Sequence, residues 1–417
     1  MKQHETTCCI VGGGPAGMML GLLLARAGIH VVVLEKHADF LRDFRGDTIH
    51  PSTLQVMHEL GLLDEFLKRP HQEVRQAGVQ IGDTTLTIAD LSHLPTRCKF
   101  IALMPQWDFL NFVAEQAKRY PTFRLIMQAE ATDLIREGEQ IGSVLAKTPE
   151  GDMKVLARLV VAADGRHSIL RKSAGLDSID LGAPIDVLWM RLSRRPTDPS
   201  QTLGRIAAGK ILVTLDRGDY WQCAFVIPKG SADELRRKGL AAFRDVIVAI
   251  APHFKDRVGE LKEWSDVKLL TVAIDRLRRW YRPGLLCIGD AAHAMSPIGG
   301  VGINLAIQDA VAAANILYRD LRQGKVATDR LQAVQHRREW PTRLTQRLQV
   351  FLQDRVISRV LSRTGQISLA LPLRLLQRWP FLRRIPARLI GIGFRPEHVR
   401  TPELPAASRA SRESAGH

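Results

Sequence analysis

The stretch Thr7-Cys8-Cys9-Ile10-Val11-Gly12-Gly13-Gly14-Pro15-Ala16-Gly17-Met18 sets the architecture of the chain. A short apolar run ends in a glycine cluster, and a second apolar run, Met18 to Ala27, follows. Gly28 then leads into Ile29, Val31, Val32 and Val33, closed by Leu34-Glu35-Lys36. This reads as strand, tight turn, helix and strand, one βαβ unit. Gly12, Gly14 and Gly17 stand in the G-x-G-x-x-G spacing. Gly12 permits the turn, Gly14 lets backbone approach a pyrophosphate, and Gly17 lets helix and strand pack closely. Pro15 and Ala16 open the helix, whose first N–H groups and positive dipole end suit phosphate. Glu35 ends the second strand about twenty residues on, where a carboxylate accepts ribose hydroxyls. Cys8 to Ala25 is uncharged and nearly long enough to span a bilayer. Its clustered glycines and proline favour a buried parallel strand followed by a buried helix.

Outside that unit the chain reads as a soluble globular protein. Its 417 residues suffice for two or three domain-sized units, and 45% apolar with 24% charged residues is ordinary. Met1 to Thr7 is polar, with no signal-peptide pattern. The five cysteines include no C-x-x-C pair, so zinc is not expected, nor any other metal. Adjacent Cys8 and Cys9 would point to opposite faces of a strand, so buried thiols in a reducing cytoplasm are expected. Lys and Arg number 59 against 43 Asp and Glu, a formal charge of +16. That balance suits anionic cofactors, anionic substrates or a membrane surface. Nucleic acid is set aside, because no nucleic-acid-binding module is recognisable.

Beyond Glu35, Arg42 and Arg45 lie where an arginine can pair with a pyrophosphate. Pro51 opens a helix with Leu54, Met57 and Leu60 on its apolar stripe, ending at Gly61. Val74 to Ile88, with Gly78, Gly82 and Asp83, reads as a hairpin. Leu103 to Ala117 reads as an amphipathic helix. Phe123 to Ile126 and Ala129 to Ile135 read as strands. Ile141 to Lys147 and Met153 to Ala157 form a second hairpin pattern. Asp186 to about Leu270 changes character: Ile211 to Leu215 and Tyr220 to Pro228 read as long strands and Glu234 to Ala251 as helix. This suits a separate antiparallel sheet over a pocket.

Two further motifs stand beside the first. Leu159-Val160-Val161-Ala162-Ala163-Asp164-Gly165 is a doubly buried strand ending in an acid, with Ser168 and Arg171 opening a helix. Gly284-Leu285-Leu286-Cys287-Ile288-Gly289-Asp290 repeats the arrangement. It continues into Pro297-Ile298-Gly299-Gly300-Val301-Gly302-Ile303-Asn304 and an apolar helix from Leu305 to Tyr318. Acids at the carboxyl ends of parallel strands lie where doubly wound sheets bind ligands. The glycines admit something flat or charged, and a helix start near Ile303 would stabilise negative charge there.

In order and spacing, these three motifs resemble the class A flavoprotein monooxygenases, the aromatic hydroxylases of the p-hydroxybenzoate hydroxylase fold. The resemblance runs from about Thr6 to Tyr318. It implies an α/β fold: a Rossmann-like FAD-binding domain with an inserted, mostly antiparallel substrate sheet and C-terminal helices. The expected division is a discontinuous FAD-binding domain over 1–73, 97–183 and 271–350 and a substrate domain over 74–96 and 184–270. A basic helical region over 351–405 and a disordered tail over 406–417 complete it. The resemblance implies bound FAD and transient NADPH or NADH. Glu35 resembles the adenosine-ribose acid, Arg45 the FAD-contacting arginine, and Gln106 the residue near the ribityl chain. Ala131 matches a backbone contact to adenine. Asp164 resembles the acid serving FAD and reduced nicotinamide, and Asp290 the acid on the ribityl and pyrophosphate side. Pro297, Gly300, Gly302, Ile303 and Asn304 resemble the residues around the flavin ring. Val301 departs from the family's usual glutamine.

The implied activity is hydroxylation of an aromatic, polycyclic or quinone-like molecule by dioxygen through a flavin C4a-hydroperoxide. Alternatives on the same fold are an isoprenoid double-bond reductase, a halogenase, or a non-enzymatic redox sensor. The stretch YWQCAFVIP lacks the second tryptophan of the halogenase W-x-W-x-I-P motif, which weakens that alternative. No general base is evident: His50 and His293 stand near motifs, and either suits a structural role as well as proton transfer. Monomer and homodimer both remain open. From Arg355 to Pro396 there is no Asp or Glu, and arginines interleave with apolar residues. That pattern suits a helical cap or a membrane-surface contact.

Overall fold

The structure is a computed structural model that describes residues 1–41, 48–82, 84–199, 203–207, 209–362 and 371–404. Arg42, Arg45, Asp83 and the tail expected over 406–417 lie outside the described residues.

Strand Lys2–Val11 is central to the larger sheet. It pairs in parallel with Val31–Leu34 on one side and with Gly151–Ala162 on the other. Phe123–Ile126 continues the parallel set beyond Val31–Leu34, and Leu285–Cys287 continues it beyond Gly151–Ala162. The apolar runs lack polar alternation because both faces are covered. Cys8 and Ile10 enter one core with helices Pro15–Arg26, Gln106–Ala117 and Gly302–Gln323, while Cys9 and Val11 enter another beneath Val144, Val155 and Trp280. All five cysteines are buried and unpaired.

One strand is longer than its sequence pattern suggests. Met153 to Ala157 and Leu159 to Ala162 belong to the single strand Gly151–Ala162, without a break at Arg158. Its first part pairs antiparallel with Gln140–Thr148, and Met153 to Ala162 pairs in parallel with Lys2–Val11. One element thus carries two patterns, because its cover changes along its length. Similarly, Glu234 to Ala251 is two helices, Ala232–Lys238 and Leu240–Ile250, divided at Gly239 with φ of +88°.

The second large sheet has the order Lys268–Leu270, Ile185–Ser193, Tyr220–Pro228, Lys210–Asp216, Leu203–Ala207, Gln76–Ile81, Thr84–Asp90. All its pairings are antiparallel except that of Leu203–Ala207 with Gln76–Ile81. Its faces separate by the two-residue period of a strand. Leu188, Met190, Leu212, Cys223 and Phe225 pack beneath Phe243 and Ile247 of helix Leu240–Ile250. The intervening residues Ile211, Val213 and Val226 face the other way and share one cluster with Ile298 of the third glycine motif and with Ile357, Val360 and Leu361.

Candidate active site

The carboxyl ends of the parallel strands finish in one row. Val11 is in register with Leu34 and Ala162, and Ala162 with Cys287. Backbone bonds carry the alignment past the strand ends: Gly12 N donates to Leu34 O (2.8 Å), Ala163 N to Val11 O (2.8 Å) and Ile288 N to Ala162 O (3.0 Å). Glu35, the Gly12–Gly14 turn, Asp164 and the Gly289–Asp290 turn therefore emerge along one edge. Three motifs more than a hundred residues apart become neighbours, at the place where open parallel sheets receive ligands.

The three glycines of the first motif do different work. Gly12 has φ of +106°, and a Cβ there would lie 2.3 Å from Ala163 O. A Cβ at Gly17 would lie 2.0 Å from Gly12 O, so Gly17 sets the helix-to-turn spacing. At Gly14, the N-cap of helix Pro15–Arg26, a Cβ would meet nothing within 4 Å. That open side, with Pro15 at N1 and no capping side chain, offers backbone N–H groups outward. Ala16 is buried and faces the third motif: a Cβ on Gly289 would come within 3.1 Å of it.

Two carboxylates flank the turn. Glu35 is buried; its Oε2 accepts from Gly13 N (2.8 Å) and its Oε1 from His37 N (3.1 Å). Beside it, Ala129 N donates to Glu35 O (2.9 Å), bringing the chain leading to Ala131 alongside. Lys36 is exposed. Asp164 Oδ2 accepts from Ile169 N (2.9 Å) and Leu170 N (3.4 Å), while its buried Oδ1 has no partner among the described residues. Burial pushes this carboxyl above the usual range, against hydrogen bonds that lower it. Asp290 is half-buried in the turn Gly289–Ala291, and Gln106 opens helix Gln106–Ala117.

The third motif is braced from within. Pro297 precedes the turn Ile298–Gly300, and Gly300 has φ of +62° with Thr48 Oγ1 donating to its carbonyl (2.9 Å). Gly302 and Ile303 begin helix Gly302–Gln323. Asn304 Oδ1 accepts from His50 N (2.9 Å) and Thr53 Oγ1 (2.8 Å), and its Nδ2 donates to Thr48 O (3.1 Å) and Gly300 O (3.2 Å). Its amide therefore ties the glycine loop to strand Thr48–Ile49 and helix Pro51–Glu59, and only backbone remains for a ligand.

Both candidate histidines are sealed inside. His50 is 0% exposed, with Nδ1 2.7 Å from Ile390 O; burial lowers its pKa to about 4. His293 is 1% exposed, with Nε2 2.6 Å from Asp309 Oδ2. That same oxygen accepts from Gly289 N (3.0 Å), and Arg338 Nε donates to Asp309 Oδ1 (2.9 Å). Charge pairing and hydrogen bonds from His293 and Arg338 hold the Asp309 carboxyl below its usual range, overcoming burial. These histidines brace the motifs. Asp309 and Arg338 were not singled out from the sequence. The available signal was a lone acid in the small, apolar run Leu305 to Ala314, since a buried charge demands a partner.

These residues fit a flavin dinucleotide. The open side of Gly14, the uncapped helix start and the positioned Glu35 suit a pyrophosphate and ribose. The partnerless Asp164 Oδ1 awaits a donor at the same edge. Ile298 packs the third motif into the apolar cluster that also holds Val213, Val226 and Val360.

Comparison with known proteins agrees. The profile of the FAD binding domain family matches residues 5–347. The 6-methylpretetramide 4-monooxygenase of Streptomyces rimosus is 34% identical over 403 residues, 95% of this chain and 94% of that protein. The crystal structure of PqsL, a probable FAD-dependent monooxygenase from Pseudomonas aeruginosa, superposes with a TM-score of 0.73 at 23% identity, covering 86% of this chain and 98% of that one. The OxyS anhydrotetracycline hydroxylase of Streptomyces rimosus gives a TM-score of 0.72 at 22% identity, over 93% and 76%. At those identities the two structures speak for the fold. With the motif geometry and the near full-length relative, they lead to one assignment: this chain belongs to the FAD binding domain family and is a class A FAD-dependent monooxygenase.

Proposed function

We propose that the enzyme hydroxylates a fused-ring aromatic or quinone-like small molecule. NADH or NADPH supplies two electrons, one oxygen atom of dioxygen enters the ring, and the other leaves as water. The observation that carries this reading is the apolar cluster that gathers Ile298, with Ile211, Val213 and Val226 of the second sheet and Ile357, Val360 and Leu361 of the C-terminal segment, beside the third glycine motif. A flat ring system held there gains by burial of its apolar faces, about 25 cal/mol per Å² removed from water. The Streptomyces rimosus relative, which its name assigns to 6-methylpretetramide, supports the fused-ring class.

FAD, when bound, supplies the redox and oxygen-transfer chemistry. The chain's own residues bind, orient and exclude water. The Gly12–Gly14 turn and helix Pro15–Arg26 would face the pyrophosphate, Glu35 the ribose, and Asp164 and Asp290 the middle of the dinucleotide. Backbone from Gly300 to Ile303 would face the ring system. The sheet face carrying Ile211, Val213 and Val226 would hold the substrate and keep water from the reacting centre. Neither His50 nor His293 serves as base, since both are buried against protein.

The test is oxygen uptake and NAD(P)H oxidation by the holoenzyme with monocyclic phenols, fused-ring phenols and hydroquinones. Substrate-stimulated turnover with fused-ring compounds, giving products one oxygen heavier, is expected. Halogenated or saturated products, or turnover indifferent to every aromatic compound, would refute the proposal in favour of another flavin chemistry.

A further inference from the structure

Six of the ten large apolar side chains that are exposed among the described residues lie between Trp340 and Ile385. Three fall within seven residues: Trp379 (49% exposed), Phe381 (61%) and Ile385 (58%). They sit around the turn Pro380–Arg383, between helices Leu371–Arg378 and Arg384–Gly391. Arg374, Arg378, Arg384 and Arg388 are exposed around them. No acidic residue occurs from Arg355 to Pro396 in a chain whose formal charge is +16.

Packing within the fold does not account for these side chains, because helix Arg384–Gly391 docks by its other side. Ala387 and Ile392 are buried with Leu91, Leu94, Ile101 and Leu103. A Cβ on Gly391 would lie 2.7 Å from a methyl of Leu94, and Ile390 O is bonded to His50 Nδ1. Arg383 Nε donates to Leu376 O (3.0 Å), closing the turn on itself. The corner is therefore fixed to the body of the protein, with its aromatic and basic side outward. Arg378 and Arg388 form no ion pair with any described residue, which leaves their charge for an outside partner.

We propose that this turn is an interfacial anchor that seats the enzyme on an anionic phospholipid bilayer. Trp379, Phe381 and Ile385 enter the boundary between headgroups and acyl chains, where amphipathic aromatic rings are favoured. Arg378, Arg384 and Arg388 meet lipid phosphates. Each basic residue near such a surface contributes about a fivefold gain in partitioning. The contact is peripheral: the one described helix long and apolar enough to cross a membrane, within Ile298–Gln323, is mostly buried inside the fold. The inference does not depend on the identity of the substrate.

The experiment is vesicle co-sedimentation of the full-length holoenzyme. One set of vesicles is phosphatidylcholine, the other phosphatidylcholine mixed with phosphatidylglycerol, each at low and high salt. Two variants accompany it: Trp379→Ser/Phe381→Ser/Ile385→Ser, and Arg378→Gln/Arg388→Gln. Flavin absorbance and thermal midpoint establish that each is folded. The wild type is expected to pellet with anionic vesicles and to be released by salt. The apolar triple variant should lose tenfold or more in partitioning, and the arginine pair more than tenfold. Wild-type protein remaining in the supernatant, or partitioning unchanged by either variant, would overturn the proposal. A wild-type dimer without vesicle binding, dissociated by the triple variant in analytical ultracentrifugation, would overturn it too and assign the turn to a second copy of this chain.

Discussion

Asp309 Oδ2 accepts a hydrogen bond from the backbone N–H of Gly289 at 3.0 Å, and so links helix Gly302–Gln323 to the turn that carries Asp290. The same carboxylate holds His293 and Arg338, and Arg338 Nη1 reaches Arg395 O (3.1 Å). Replacing Asp309 by Ala leaves the buried Arg338 with only its longer carboxylate contact, to Glu397 Oε1 (3.4 Å), and frees the turn. A loss of roughly 3–5 kcal/mol is expected. Asp309→Asn, which keeps an acceptor for Gly289, should lose less. Denaturant unfolding reads the stability, and quenching of flavin fluorescence reads the affinity. Loss of stability in Asp309→Ala with unchanged FAD affinity would confine Asp309 to a structural role.

Gly14 and Gly17 should separate cofactor binding from folding. A methyl at Gly14 meets no protein atom, whereas at Gly17 it meets Gly12 O at 2.0 Å. Gly14→Ala should leave the stability of the apoprotein within about 1 kcal/mol of the wild type. It should weaken FAD binding by roughly a hundredfold, because the methyl occupies the approach of the pyrophosphate. Gly17→Ala should destabilise the apoprotein itself by about 1–3 kcal/mol or more. Thermal unfolding of both apoproteins, with FAD titration of the folded one, checks the pair.

His50 makes stability depend on pH in a defined direction. Its folded pKa is lowered from 6.5 to about 4 by burial, so the unfolded chain takes up a proton that the folded chain refuses. Above pH 6.5 both states hold the neutral ring and its contribution is complete. Between about pH 6.5 and 4 the contribution falls as pH falls, by up to about 1.4 kcal/mol per pH unit. His253, also lowered to about 4, chiefly by burial, acts in the same direction. His50→Asn should flatten this limb by close to one proton, measured as urea midpoints across the range. An unchanged slope would mean that His50 is charged in the native state.

The two faces of the second sheet should respond differently to substitution. Val213 is half-buried and joins the cluster containing Ile298, while its neighbour Leu212 is buried beneath helix Leu240–Ile250. Val213→Phe should raise KM for fused-ring substrates by tenfold or more, with little change in FAD affinity or thermal midpoint. Leu212→Ala should cost about 2–5 kcal/mol of stability and leave substrate preference intact. Steady-state kinetics on both variants distinguishes the substrate wall from plain core.

Much of this was legible in the sequence, because local chemistry carried it. The spacing Gly12-x-Gly14-x-x-Gly17, Pro51 at a helix start, Gly61 beyond its end and Ser168 as N-cap are local signals, and each appears at its expected place. Ser168 Oγ accepts from Arg171 N (3.0 Å), as a helix start requires. Long-range pairings were not legible. Met153 to Ala162 carries two patterns on one strand because its neighbours change, and no local cue reports that. Asn304 was noted for its place in a glycine motif, but its four bonds reach Thr48, His50, Thr53 and Gly300, and only folding brings the first three near. His50 and His293 drew notice by position, whereas burial decides what a histidine can do.

The proposed reaction inserts one oxygen atom from dioxygen into an aromatic ring. The most direct measurement is mass spectrometry of product formed by the holoenzyme with NAD(P)H under isotopically heavy dioxygen, using the fused-ring phenol that gives the fastest turnover. One heavy oxygen atom is expected in the product, with none acquired from heavy water in the converse experiment. Product bearing only solvent oxygen, or turnover that consumes reductant and returns the aromatic compound unchanged, would contradict it.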